Sequence, residues 1–237
     1  MGRWITIALL LACGSEPGLE IVANQMPLDD CSLADEDTGD VIREGVFDLA
    51  IGDRPSYVLS ALVRNRTAES VTLRMARLRA VDRRTGDPLQ ITCGEDVCAA
   101  WDEDLCDGAC PEIPAGEARS IEVPAMPRVL TAFFLGQMDD AVREGRTPPE
   151  FDIDAEIELL TDGEAASSFV FPLRLCLGCL VSFPEGTDRA SIPGPDCCGA
   201  GTPVEDGCYP GQDVPFSCRR CVSTVPELCN FGRRICE

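Results

Sequence analysis

Histidine and lysine are both absent from this chain, so all 20 of its basic residues are arginine. Without His there is no side chain that titrates unaided near neutral pH, no imidazole metal ligand and no proton shuttle for a Ser or Cys triad. Without Lys, Schiff-base chemistry is excluded. Arginine in place of lysine is also what a GC-rich codon bias produces, and the chemical exclusions hold whatever the origin. Aromatic residues are few, 5% of the chain with two Trp and two Tyr. That is sparse for a sugar cleft, and the carboxylate separation that glycoside hydrolysis needs is not readable from sequence. No apolar run approaches the 20 or so residues that span a bilayer as a helix.

What is present in excess is acid. Forty-one Asp and Glu residues give a net charge of −21. Such a surface repels phosphates and anionic headgroups, which argues against nucleic-acid binding and leaves divalent cations or basic partners compatible. Apolar content is 45%, enough for a folded core despite the charge. A length of 237 residues suits one domain of about 100 to 150 residues with a smaller appendage.

The chain opens with Met1-Gly2-Arg3 and the apolar or hydroxyl run Trp4 to Ala12, and Gly14-Ser15-Glu16-Pro17 stops that run. This reads as an export signal, too short to cross a membrane. Its end, Leu10-Leu11-Ala12-Cys13, resembles the lipobox of bacterial envelope lipoproteins: a Leu three positions before, and a small residue just before, the acylated Cys. The resemblance implies a signal peptide over 1–12 and a mature protein that begins at Cys13, carrying diacylglyceryl and palmitate-type chains. Each buried methylene contributes about 0.8 kcal/mol to such an anchor. Gly14 stands where some lineages place a retaining Asp, so the resemblance implies the outer membrane, with the membrane itself and an envelope protein or surface ligand as partners.

Fifteen cysteines are an odd number, and removing Cys13 leaves fourteen. An even remainder is what a fully oxidised envelope protein requires. They are Cys31; a loop group of Cys93, Cys98, Cys106 and Cys110; and Cys176, Cys179, Cys197, Cys198, Cys208, Cys218, Cys221, Cys229 and Cys236. If the loop group closes on itself, Cys31 is the natural partner for one of the last nine. Connectivity is not derivable, because fourteen cysteines allow on the order of 10⁵ pairings. Cys176-Leu-Gly-Cys179 and Cys218-Arg-Arg-Cys221 have the C-x2-C spacing of structural bridges, of thiol–disulfide exchange pairs and of zinc sites. An oxidising compartment favours the first reading. A thioredoxin-like pair would follow a strand at a helix N-terminus, whereas Cys176 ends an expected strand and leads into Pro- and Gly-rich chain.

The polar stretch 13–40 predicts an acidic tether. From 41 to 180, strand signals predict a mainly β domain: an antiparallel sandwich with one inserted helix and a Cys-rich loop at 93–110. Tyr57, Leu59, Ala61 and Val63, then Val71, Leu73 and Met75, read as a hairpin around 65–70, and the parity change to Leu78 and Ala80 predicts a β-bulge near Ala76-Arg77. Leu130, Phe133, Phe134, Met138 and Ala141 recur at helical spacing between Pro127 and Gly145. Phe151, Ile153, Ala155, Ile157 and Leu159 alternate with Asp152, Asp154, Glu156 and Glu158, and Asp162-Gly163 turns into Phe169, Phe171, Leu173 and Leu175. The alternating strand Tyr57 to Asn65 and the Gly turn of Pro114 to Val123 resemble the immunoglobulin-like adhesion modules of bacterial surface proteins. That resemblance implies architecture only, since the Cys…Trp…Cys core of antibody domains is missing. Residues 181–237 predict an irregular tail held by disulfides, each contributing about 2 to 4 kcal/mol.

No group of residues forms a catalytic constellation, so the expected function is that of a non-enzymatic envelope lipoprotein for adhesion, binding or structural support. Two alternatives stay open: a thiol–disulfide oxidoreductase using a C-x2-C pair, and a calcium-dependent module. Asp35 to Asp40 imitates a calcium loop but lacks its Gly and Glu positions. Asp102, Asp104 and Asp107, with Glu103, are the better calcium candidates, and Trp101 beside them is a candidate recognition residue or a core residue. No resident cofactor is implied apart from that calcium.

Overall fold

The computed structural model describes residues 18–28, 31–49, 56–93, 96–162, 165–177, 179–182, 212–213 and 216–217. The strands are β1 (Leu19–Gln25), β2 (Gly45–Asp48), β3 (Val58–Asn65), β4 (Val71–Thr72), β5 (Met75–Asp82), β6 (Ile91–Cys93), β7 (Asp96–Cys98), β8 (Trp101–Asp104), β9 (Glu112–Ile113) and β10 (Ala118–Pro124). After helix α1 (Arg128–Arg143) come β11 (Phe151–Leu160), β12 (Ala165–Cys176), β13 (Val181–Ser182) and β14 (Phe216–Ser217). A three-stranded sheet, β1-β3-β10, faces a five-stranded sheet, β2-β12-β11-β5-β8, and three two-stranded ribbons flank them. The expected mainly β sandwich with one helix is found.

Period-two alternation explains the five-stranded sheet. Ile153, Ala155, Ile157 and Leu159 of β11 turn inward with Leu78 and Ala80 of β5 and Phe171, Leu173 and Leu175 of β12. Against them the other sheet sets Leu59, Ala61 and Val63 of β3 and Ile121 and Val123 of β10. Helix α1 adds Leu130, Phe134 and Met138, four residues apart and so on one face, and the Phe134 ring lies 4.7 Å from that of Phe151. The Pro127 carbonyl accepts from the N–H groups of Leu130 and Thr131 at the start of the helix, and Gly145, at φ +73°, lets the chain leave it.

Four differences from the sequence reading have physical causes. First, Tyr57–Val63 and Val71–Met75 do not form a hairpin: β3 pairs with β1 and β10, β4 pairs with β9, and β5 pairs with β11 and β8. The chain crosses between sheets there, and alternation in sequence is the same whether two strands share a sheet or oppose one another. Second, β5 pairs with β11 without interruption from Met75 to Asp82, so no bulge lies at Ala76-Arg77. The parity changes earlier, at Arg74-Met75, between buried Leu73 and buried Ala76, where the chain passes from one pairing to the next. Third, the stretch predicted as a tether carries β1, a strand of the three-stranded sheet whose Leu19 reaches the core. Fourth, β2 lies parallel to β12, an exception to the antiparallel pattern.

Residues 34–38 fold back over the outer face of the three-stranded sheet. Gln25, 1% exposed, donates to the Ala34 carbonyl and to Ser120 Oγ, and accepts from Thr38 N–H at 2.8 Å and from the Thr38 hydroxyl. Ser120 Oγ also donates to the Ala34 carbonyl, and Ser120 N–H donates to Asp35. Leu62, directly opposite Ala23 and Ser120 and therefore on that same face, is completely buried.

Candidate functional site

The short parallel pairing of β2 with β12 brings Asp48 level with Cys176. Leu49 N–H donates to the Cys176 carbonyl at 2.8 Å, carrying the pairing one residue further. Cys176 is bonded to Cys179, and Leu180 N–H donates to Asp48 Oδ2 at 2.9 Å. One carboxyl oxygen and the two sulfurs all lie within 4.8 Å of one another, the only such trio among the described residues. Their exposure is unequal: Asp48 is fully buried, Cys176 is 1% exposed and Cys179 is exposed. With both sulfurs in the bridge, this pair presents a disulfide beside a carboxyl group, not two thiolates for zinc.

The same end of the sandwich receives the distal chain. Asp213 Oδ1 accepts from Val46 N–H at 2.7 Å, and Oδ2 accepts from the Tyr57 hydroxyl at 2.5 Å. Gln212 satisfies both backbone groups of Val58, accepting from its N–H and donating to its carbonyl. Tyr57 is wedged between Phe47 and Phe171, with ring centroids 5.9 and 5.7 Å away. Gly45 makes room for it: a Cβ there would sit 2.5 Å from the Tyr57 oxygen and 2.8 Å from Phe171. Burial raises the Asp213 pKa above the usual carboxylate value, opposed by the hydrogen bonds from Tyr57 and Val46. The Tyr57 hydroxyl is driven strongly upward, first by burial and then by the neighbouring Asp213 charge, so it remains a donor. Asp213 adopts φ 58°, a left-handed conformation that Asp tolerates better than most residues.

The other candidate residues are dispersed. Cys106 is bonded to Cys110, and Cys31 and Cys98 are also in disulfides. Cys93 ends β6. Cys13, Cys197, Cys198, Cys208, Cys218, Cys221, Cys229 and Cys236 lie outside the described residues, and with them the second C-x2-C pair. Asp102 is ion-paired with Arg77 at 2.8 Å, and Asp104 accepts from Cys106 N–H, so these calcium candidates are engaged with the neighbouring strand β5 and with their own turn. Asp107 makes an isolated bridge with Ala109. In the calcium-like stretch, Asp37 accepts from Gly39 N–H and Asp35 from Ser120 N–H. Trp101 packs half-buried against the core and is not an open recognition residue, and its indole N–H is enclosed without an acceptor among the described residues.

The acidic ladder is not free for a basic partner either. Asp152 pairs with Arg174, Asp154 with Arg83, Glu156 with Arg79 and Glu158 with Arg77. Beside this lattice lies an open depression of about 410 Å³, lined by Arg77, Arg79, Glu156, Glu158, Ser168 and Val170 among others, with Val170 56% exposed.

The residues that sequence reasoning missed are Asp48, Tyr57, Gln212 and Asp213. A carboxylate inside the apolar run Val46 to Ile51 was the one available signal for Asp48. No local signal marks the other three.

No protein-family model matches the chain, and no curated protein matches it. Among solved structures it is similar to an alkylpurine DNA glycosylase, AlkC of Pseudomonas fluorescens, at 14% identity and TM-score 0.33, over 68% of this chain and 32% of that one. It is also similar to a family 2 glycoside hydrolase β-glucuronidase, at 10% identity and TM-score 0.27, over 54% of this chain and 12% of that one. The chain thus spans a third or less of the length of these neighbours. At such scores the likenesses define neither a fold family nor an activity.

Proposed function

We propose that this chain is an exported lipoprotein, held through Cys13 at the bacterial outer membrane, whose β-sandwich serves as a non-enzymatic binding or structural module of the cell envelope. The observation that carries the reading is the oxidation of its cysteines: Cys31, Cys98, Cys106, Cys110, Cys176 and Cys179 are all in disulfides. Cytosolic thiol pools keep such pairs reduced, whereas the envelope lets them persist. An oxidised chain with one cysteine in excess needs a separate fate for that cysteine, and acylation of Cys13 supplies it. The face for a partner is then the outer side of the five-stranded sheet, where Val170 stands exposed among paired Arg and Glu side chains.

The test is expression of the full chain in a bacterial host with labelled palmitate. Label should enter the protein, globomycin should block processing, and Cys13→Ser should abolish labelling while leaving the remaining disulfides closed. Palmitate retained by Cys13→Ser, or free thiols at Cys31 or Cys98 in the mature protein, would sink the proposal.

A further inference from the structure

We propose that the Cys176–Cys179 bridge is a thiol–disulfide exchange site, attacked at Cys179 and served by the Asp48 carboxyl group. Three features of the trio lead there. Access is one-sided, because Cys179 is exposed and Cys176 is 1% exposed, so an incoming thiolate reaches the Cys179 sulfur and Cys176 is the leaving group. The departing sulfur is released into the interior, where an uncompensated thiolate is costly. A carboxyl oxygen lies within 4.8 Å of it, already oriented by the Leu180 N–H. The second described bridge, Cys106–Cys110, has both cysteines half-buried and no such trio around it.

The reductant is a dithiol. Its thiolate attacks Cys179 Sγ, forming an intermolecular disulfide and breaking the Cys176–Cys179 bond. The electron pair goes to Cys176 Sγ, which takes a proton from water relayed through the Asp48 carboxyl group. The second thiol of the reductant, deprotonated, then displaces Cys179, which takes its proton from water. The bridge gains two electrons and two protons, and the dithiol becomes a disulfide. Among the described residues, Cys176 from β12 and Cys179 from the segment after it face Asp48, and Asp213 is held on Val46, two residues before Asp48 in β2. Arg174 of β12 is exposed.

The experiment treats the oxidised full chain briefly with limiting dithiothreitol, alkylates the freed thiols and maps them by peptide mass spectrometry. Cys176 and Cys179 should be alkylated about tenfold faster than Cys106 and Cys110, and a monothiol such as glutathione should be trapped on Cys179. Equal or slower opening, or a glutathione adduct on Cys176, would overturn the proposal; both readouts come from the unmodified protein. Asp48→Asn keeps the side-chain size and an acceptor for Leu180. It should slow opening and change the pH profile of its rate, and an unchanged profile in a variant of normal melting temperature removes Asp48 from the exchange. The assay needs no lipid on Cys13, so its outcome is independent of the acylation test.

Discussion

The outer faces of the two sheets are finished in opposite ways. On the five-stranded sheet, Asp152, Asp154, Glu156 and Glu158 stand in water, each matched by an arginine of β5, of the turn just after it or of β12. On the three-stranded sheet, residues 34–38 roof the surface, and Gln25, Ser60 and Leu62 are removed from solvent. A strand that alternates apolar and charged residues closes one face and leaves the other wet. Strand β3, with Leu59, Ser60, Ala61, Leu62 and Val63 all buried, has two dry faces and needs a cover. Charge on an open face acts mainly on solubility, while polar groups under a roof bind the roof to the sheet.

That contrast can be tested in order of expected effect. Leu62→Ala should destabilise the protein by about 2 to 5 kcal/mol in urea unfolding, whereas Val170→Ala, at the corresponding outer position of the other sheet, should change it by about 0.5 kcal/mol or less. Equal effects would mean that the roof buries nothing of consequence. Gln25→Ala should cost about 1 to 3 kcal/mol, because it strands the Thr38 N–H and removes one of the two donors to the Ala34 carbonyl. Faster amide exchange across residues 34–38 should accompany that loss. Smallest is the Arg79–Glu156 pair, both partners well exposed. A double-mutant cycle there should give about 0.2 to 1 kcal/mol, shrinking with added salt.

Much of the open sheet was readable in advance. The β11–β12 hairpin, its charged outer edge and helix α1 follow from residue spacing, because each depends on neighbours within about one turn or one strand. The arginine partners of the ladder did not follow, since β5 reaches β11 only through the fold. The roof was misread as a tether for a related reason: its residues are polar and acidic, and what orders them is Gln25 and Ser120, the latter more than 80 residues away. The supposed hairpin at Tyr57–Met75 failed because sequence alternation does not state which sheet a strand joins.

The candidate site divides along the same line. Cys176 and Cys179 were visible as a spaced pair, with bridge, exchange and zinc readings all open. Asp48 was not, because it comes to the sulfurs across a parallel pairing more than a hundred residues long in sequence, and Asp213 reaches Tyr57 across 156 residues.

Sequence alone determined the chemistry available to this protein: arginine without lysine or histidine, an excess of acid, an abundance of cysteine and the periodicity of two long strands and a helix. Those are properties of composition and of short-range geometry. Tertiary structure decided which sheet each strand joined, which acids were neutralised, which polar residues were buried, and which carboxyl stood beside the Cys176–Cys179 bridge. Each of those depends on burial and long-range pairing, which arise only when distant segments share one core.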